Sequence, residues 1–558
     1  MVMLRFSLAA SAVLLLCATA TARAGPLSDE PLHGQGNKVY PIGSNGWTAS
    51  HAGNAFSIPV TVPGDLISDL EASSGYGDPL FHLNWRNASY DKNWSYSTTF
   101  DVPPTAPEDT LLVFDSVKMG ATVTLNGARL GVLQNQFLRY NFSVGALLKP
   151  TGNVLRVSFA ASTDALNFEG RFQACSGGWD WAPYGNFELR HHFGPFLAHF
   201  SAQPHPTRTV GRVLLGAQAY LMLIGACNPM LCPIWGFRYS TTATAQEDAT
   251  FSRGLLRDVY LVPVRLAVLA HVVPLITYTG AYPAAPLADA AAAPFDVGVD
   301  VVLWAPQPVA AGGALSVTQT WDPAAKPTEL ALGALPAGES VIRLLLPPTP
   351  AGGVTLWWPS GLHGSGGRPK RRNNTAAGAM YRLSVAYRPK VGDGGNPSVA
   401  DRVVGFRVAH LVTTNDTACA ADTARGGCAA AHGSGDFTMR LKVNGADLWS
   451  RGANVIPMEE MEAREALPAY RAMLGHATAA GHNTVRVWGG GKFLPAAFYD
   501  ACDEMGLLVI HDLMYGTPWF GGNGSIPADT PLQRAEVAHN LRRLHAHPSI
   551  VMCTALSG

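Results

Sequence analysis

The sequence predicts a multidomain chain in which two all-β sandwiches precede an α/β segment that reads as the first half of a (β/α)8 TIM barrel. Three observations carry that expectation. Up to about residue 410, short stretches alternate apolar and polar positions with period two, the spacing of half-buried strands. After about residue 437, helical periodicity alternates with short apolar bursts. Two of those bursts, Asn483–Gly491 and Leu507–Asp512, run into an aromatic or charged residue, as parallel barrel strands do where their C-terminal tips open into a site.

Taken in order, residues 1–24 contain Arg5, an apolar stretch from Phe6 to Ala20 and the small-residue pattern Ala22-Arg23-Ala24, the form of a cleaved secretory signal peptide. A first β-sandwich is expected over residues 30–263. There Leu155, Val157 and Phe159 share one face while Arg156 and Ser158 share the other, and Ala121–Leu125 runs into the tight-turn pair Asn126-Gly127. Residues from about 185 to 240 interrupt this sandwich with the uncharged run Val213 to Trp235. About 20 apolar residues would suffice for a membrane helix. Gly216, Gln218, Gly225, Pro229 and Pro233 make a poor one, so an inserted loop or a gene-model artefact such as a retained intron is expected instead. A second sandwich is expected over 264–411, with Phe295, Val297, Val299, Val301 and Leu303 alternating and Val403 to Val408 as closing strand. Residues 412–436 are small and polar and read as a linker.

The last unit, 437–558, shows three helix faces: Leu467, Tyr470, Leu474 and Ala477 closed by Gly481; Phe498, Cys502 and Met505 closed by Gly506; and Val537, Leu541 and Leu544. Strands are expected near Leu448-Trp449, Val485–Val487, Leu508–Ile510 and Ile550–Met552. A closed eightfold barrel takes roughly 200 to 250 residues, so four strands in this length make an incomplete one.

Composition narrows the ligand. Hydrophobic residues make up 47%, enough for several cores, whereas charged residues are 14% with zero net charge. No basic field exists to attract nucleic acid or an acidic membrane, and a neutral polar ligand fits better. Sequons at Asn87, Asn93, Asn141, Asn373, Asn415 and Asn523 agree with a secretory route. Eight cysteines become seven once Cys17 leaves with the signal, so one thiol stays unpaired; Cys419 and Cys428 flank a segment they could close, and Cys502 fits a core position. His545 and His547 have no third ligand at suitable spacing, and no glycine loop leads into a phosphate-binding lysine. No metal and no cofactor are expected.

Specific motifs resemble glycoside hydrolase family 2, and within it the β-mannosidase branch. Val62-Pro63-Gly64-Asp65 with Trp94 and Phe100, and Ala121 to Gly127, resemble the family's sugar-binding jelly-roll β-sandwich. Phe172-Gln-Ala-Cys175-Ser-Gly-Gly-Trp179-Asp180-Trp181-Ala-Pro183 is similar to the tryptophan-aspartate-tryptophan loop of β-mannosidases. Leu356-Trp357-Trp358-Pro359 and Val404-Gly405-Phe406-Arg407 resemble its immunoglobulin-like β-sandwich, while Arg451–Pro457 and Arg486–Gly491 resemble its first two barrel strands.

The resemblance implies retaining hydrolysis by two carboxyl groups about 5 to 5.5 Å apart, acting on terminal β-mannose of oligosaccharides or glycoproteins in a secreted or lysosome-like setting. It implies three substrate-binding residues. Asp180, between two tryptophans, would accept from sugar hydroxyls; Trp488, before three glycines, would stack on the sugar; Asp512 would accept a sugar hydroxyl at a strand tip. From the residues alone, Asp180 equally fits a polar turn and Trp488 a core position, and Arg486 fits either a structural ion pair beneath the site or a ligand contact. Relatives continue past a strand like His547–Met552 into Trp-x-Gly-Asn-Asn-Glu, whose glutamate is the acid/base, whereas here Cys553-Thr554-Ala555-Leu556-Ser557-Gly558 follows. The resemblance therefore assigns neither catalytic glutamate to this chain, which is expected to be truncated and inactive. Glu459, Glu460 and Glu462 read as a solvated helix start rather than as substitutes. The alternatives are an inactive carbohydrate-binding or interaction protein, against which exposed parallel edge strands argue, and another exo-acting enzyme of the clan such as a β-galactosidase or glucosaminidase.

Overall fold

A computed structural model of the chain describes residues 32, 35–159 and 253–554, apart from 44–45, 52–55, 74–76, 78–92, 103–108, 119, 289, 291–293, 363–379, 391–395, 413–439, 460–461, 490 and 516–529. The expected signal peptide, the segment 185–240, Cys419, Cys428 and nearly all of the expected linker lie outside the described residues.

The first unit is a β-sandwich. One antiparallel sheet runs, in spatial order, Ser57–Val60, Trp47–His51, Trp94–Phe100, Asn153–Phe159, Ala121–Leu125, Ala128–Leu133; the other runs Tyr40–Pro41, Val259–Pro263, Thr110–Phe114, Tyr140–Ser143. Side chains of both sheets share one core that includes Trp47, Trp94, Phe114, Leu155, Val157, Phe159 and Leu261. The period-two reading holds here, since Leu155, Val157 and Phe159 are buried and Arg156 is exposed. Asn126 and Gly127 have φ of 51° and 84°, the paired positive values that a two-residue hairpin with native twist requires. Val259–Pro263 pairs with Thr110–Phe114, so this sandwich takes a strand from beyond residue 253.

A second sandwich packs Val268–Tyr278, Phe295–Ala305 and Gly338–Leu345 against Thr328–Leu332, Gly313–Gln319, Tyr381–Arg388 and Ser398–Val404. The alternating run from Phe295 to Leu303 is buried together with Trp321, Trp358 and Phe406. Its last strand stops at Val404, because Phe406 turns to bridge Leu356.

Beyond it, Arg440–Val443 and Ala446–Leu448 form a hairpin across Asn444-Gly445, whose φ values of 48° and 78° make a second tight turn. This corrects the expected strand at Leu448-Trp449. The turn folds Ala446–Leu448 back, Trp449 is 82% exposed, and the first parallel strand begins at Gly452. Four parallel strands follow, β1 (Gly452–Val455), β2 (Thr484–Val487), β3 (Leu508–Asp512) and β4 (Ile550–Thr554), in that spatial order. The helices between them are α1 (Leu467–Ala479), α2 (Ala496–Met505) and α3 (Pro531–Leu544). Tyr470 and Leu474 of α1 and Phe498 and Cys502 of α2 are buried as expected, and Gly481 and Gly506 end these helices with φ of 86° and 71°. Among the described residues the sheet has two unpaired edges, β1 and β4, and no closed barrel forms.

Helix α3 departs from its expected apolar face. Leu544 is buried, but Leu541 is 37% exposed, and the buried stripe is Gln533, Glu536, Asn540 and Arg543. The cause is its neighbour, the 134–139 loop of the first sandwich, which presents polar groups: Asn135 Nδ2 donates to Glu536 Oε2 at 2.7 Å, and Asn540 Nδ2 to the Phe137 carbonyl at 2.9 Å. The same loop overturns the solvated reading of Glu462. That side chain is buried, accepts from Gln136 Nε2 at 2.9 Å, and has Lys118 and Lys492 ammonium groups each 3.9 Å away. Burial pushes its pKa up, but Lys492, Lys118 and Gln136 together outweigh that and hold it below the ordinary glutamate value.

The second sandwich is joined to the α/β unit as firmly. Trp357 Nε1 donates to the Asp503 carbonyl at 2.9 Å, and the Ser360 amide to the Gly506 carbonyl at 2.7 Å. Nearby, His271 of Val268–Tyr278 meets His539 of α3, Nε2 to Nδ1 at 3.3 Å. Burial first, then Arg139, Arg542, Arg543, Arg402 and Arg257 around the pair, hold both imidazoles well below the ordinary histidine pKa. Both rings are thus neutral in the fold yet protonate near pH 6.5 once exposed. Stability is full above that pH and falls below it, by up to about 1.4 kcal/mol per pH unit for each ring. Urea unfolding between about pH 7.5 and 5.5 should show this loss, and His271→Gln should remove its own share of the slope.

Candidate functional site

The C-terminal tips of β2, β3 and β4 converge on one carboxylate. Asp512, the last residue of β3, is fully buried. Its Oδ1 accepts from Arg486 Nε at 3.2 Å and from the Thr554 hydroxyl at 2.5 Å; its Oδ2 accepts from Arg486 Nη2 at 2.7 Å and from the Gly489 amide at 3.2 Å. A carboxylate offers about four acceptor positions. All are taken, by donors from β2, the turn after it, and β4. Of the two readings of Arg486 the structure displays the ion pair, with the guanidinium side chain 35% exposed above a fully buried partner.

Trp488 stands one residue past β2 and is half-buried. Its amide continues the ladder to the Val455 carbonyl at 3.2 Å, and its own carbonyl accepts from the Gly491 amide at 3.1 Å, closing a tight turn. Two of the three glycines have visible reasons. Gly489 brings its amide to Asp512, and at Gly491 a Cβ would lie 2.9 Å from Pro457 Cδ, so the turn can rest on the chain after β1 only without a side chain. Trp488 and Asp512 are therefore brought together. Asp180 lies outside the described residues.

The turn continues into side chains anchored inward. Lys492 Nζ is 2.6 Å from Glu465 Oε2, and Phe493 packs edge-on to Phe137 of the first sandwich, with ring centres 5.6 Å apart. A cavity of about 60 Å³ lies beneath, lined by Asp115, Arg139, Gln136, Glu462, Lys492 and Asn540 among others. Its charges are already paired, Arg139 with Asp115 within the first sandwich and Lys492 with Glu462 and Glu465 within the α/β unit, which suits a buried joint better than a ligand site.

At the opposite end of the sheet, His547 Nδ1 lies 2.7 Å from Asp503 Oδ2 and 3.9 Å from Asp500 Oδ1, so these three groups could surround a cation. Asp503 also accepts from the Ser549 amide at 3.0 Å, which fits a latch between α2 and the start of β4. His545 takes no part in that cluster.

Sequence reasoning missed Thr554, the Gly489 amide and the partners of His511. The signal for Thr554 was present: it ends the burst Ile550–Thr554 as Asp512 ends its own. Gly491→Ala should cost about 1 to 3 kcal/mol by overpacking against Pro457, readable as a lower midpoint in thermal or urea unfolding.

The chain is similar to several known proteins. Residues 47–186 match the family model described as "Glycosyl hydrolase 2 galactose-binding domain-like". The chain is 25% identical to the β-mannosidase of Rattus norvegicus over 513 residues, 91% of this chain and 48% of that protein. It is 25% identical to β-mannosidase B of Aspergillus oryzae, covering 92% of this chain and 50% of the relative. Among solved structures it is similar to the β-D-mannosidase of Dictyoglomus thermophilum, with TM-score 0.61 and 20% identity over 93% of this chain and 52% of that one. An exo-chitosanase of Amycolatopsis orientalis has TM-score 0.56 and 17% identity over 92% and 49%. The chain spans about half the length of these relatives. Residues 47–186 are thus similar to the galactose-binding-like domain of family 2 glycoside hydrolases, and the chain is similar to β-mannosidases along nine-tenths of its length.

Proposed function

We propose that this chain forms the sugar-recognising part of a β-mannosidase-type retaining glycosidase of the secretory pathway, acting on terminal β-linked mannose of oligosaccharides or glycoproteins. The observation that carries the reading is the half-buried indole of Trp488 beside the carboxylate-tied strand tips. An aromatic face next to ordered polar groups suits a pyranose ring, whose C–H faces are apolar and whose rim is hydroxylated. The similarity to β-mannosidases along nine-tenths of the chain supports mannose as the sugar.

In this reading Trp488 stacks on the sugar and Asp180 accepts from its hydroxyls. Asp512 holds the tips in place, and a sugar hydroxyl reaches it only by replacing one of its present donors, the Thr554 hydroxyl being the most readily exchanged. The four parallel strands are the opening strands of a (β/α)8 catalytic barrel, and the second sandwich is its immunoglobulin-like partner. Neither catalytic carboxyl is assigned to a residue of this chain. Asp512 has its acceptor positions filled, and Glu462 and Glu465 are paired with Lys492. The chain by itself should therefore bind a β-mannoside without hydrolysing it.

Isothermal titration with methyl β-D-mannoside and, separately, methyl β-D-galactoside tests this. Preference for the mannoside, weakened about tenfold by Trp488→Ala and also weakened by Asp180→Ala, is the expected result. Equal affinity for both sugars, or mannoside binding indifferent to Trp488→Ala, would overturn it.

A further inference from the structure

The turn that carries Trp488 is held at both of its ends by consecutive residues of β3, and only one of those ties involves Asp512's carboxylate. At the front the Gly489 amide donates to Asp512 Oδ2. At the rear the Leu494 amide donates to the Tyr499 hydroxyl oxygen at 3.2 Å, and that hydroxyl lies 2.7 Å from His511 Nε2. The other imidazole nitrogen, Nδ1, lies 2.7 Å from the Asp512 main-chain carbonyl oxygen. A carbonyl only accepts, so Nδ1 carries the proton, and Nε2 offers its lone pair to the tyrosine O–H. His511 is fully buried, with the rings of Phe493 and Tyr499 stacked on it at centre distances of 5.5 and 5.7 Å.

We propose that His511 is a positioning residue for the sugar-stacking turn: its neutral imidazole, acting through Tyr499, clamps Leu494 to the tip of β3 and so sets where Trp488 stands. The role given to Trp488 rests on the β-mannosidase reading above; the clamp itself does not. Between the two pins lie Gly490, Gly491, Lys492 and Phe493; the glycines supply no side chain to order the turn, so the pins share that task with the Lys492–Glu465 and Phe493–Phe137 contacts. A protonated His511 would turn Nε2 into a donor facing a hydroxyl that already accepts from Leu494, and the tyrosine proton would lose its acceptor. The surroundings oppose that protonation. Burial first, with Arg543 assisting, outweighs the Asp512 carbonyl and carboxylate and lowers the His511 pKa to about 4. Arg543 lies over the Tyr499 ring at 5.9 Å, the His547 ring is 5.4 Å from it, and Tyr470 is close enough to Tyr499 to interact with it electrostatically. The turn should thus keep its shape through the mildly acidic range and loosen only near pH 4.

The test is hydrogen exchange at the Leu494 amide, with methyl β-D-mannoside affinity measured in parallel on the same full chain. His511→Phe keeps the stacked ring but removes both hydrogen bonds, and Tyr499→Phe removes the relay. Each should speed Leu494 exchange about tenfold at neutral pH and weaken mannoside binding. His511→Gln retains one donor and one acceptor and cannot protonate, so it should stay within about threefold of the native chain. Near pH 4, exchange corrected for its intrinsic rate should rise in the native chain and not in His511→Gln, a difference that a merely space-filling role would not produce. Leu494 exchange unchanged in Tyr499→Phe, or the same acid response in His511→Gln as in the native chain, would overturn the proposal. If Leu494 protection follows residue 511 while no form binds the mannoside, the clamp stands and the sugar reading falls.

Discussion

The α/β unit depends on a single buried carboxylate. A parallel sheet has no hairpins to hold neighbouring strand ends in register, and here the C-terminal ends of three strands are instead tied through Asp512 to Arg486, Gly489 and Thr554. A buried carboxylate is costly to desolvate, and the arrangement is tolerable only because every acceptor position is occupied. The same requirement sets the geometry of the tips. Arg486 must project from β2, the glycine amide must face inward, and the indole of Trp488 is left at the rim.

That rim is supported from outside the sheet. The 134–139 loop of the first sandwich reaches α3 with Asn135, Glu462 with Gln136 and Phe493 with Phe137. The joint is polar and charged, and such joints gain little net stability over an apolar one but punish the loss of any partner. It therefore specifies one orientation of the sandwich against the strand tips. Trp357, Ser360 and the His271–His539 pair do the same for the second sandwich, with an added sensitivity to acid at the histidines.

Much of this was legible in the sequence, and the reasons differ by element. The run 155–159 keeps a strict period of two because its strand has one buried face, whereas in 295–303 Gly298 and Val302 on the opposite face are buried as well, so the alternation there marks only the more apolar face. Helices α1 and α2 were readable because Gly481 and Gly506 stop them in left-handed conformations. The periodicity reading misplaced strand β1 because Asn444-Gly445, a turn signal as strong as Asn126-Gly127, was passed over, whereas the motif Arg451–Pro457 fell on it. Leu541 and Glu462 were assigned by local pattern, leucine inward and glutamate outward. Both assignments failed for the same reason: the surface that α3 and Glu462 pack against belongs to a loop some four hundred or three hundred residues earlier, which no local window contains. The positions of Trp488 and Asp512 at strand tips were legible from their place after apolar bursts. The His511–Tyr499 relay was not, since it joins a strand tip to the first turn of a helix through side-chain atoms alone.

Equilibrium urea unfolding of Asp512→Asn tests the central claim most directly. The substitution keeps the shape and removes the charge that gathers the donors. If Asp512 organises the strand tips, the variant loses about 1.5 to 3 kcal/mol, the range for removing hydrogen bonds to a charged group when the remaining partner, Arg486, can still reach solvent. A loss below about 1 kcal/mol would contradict the account and leave the tips held by strand pairing alone.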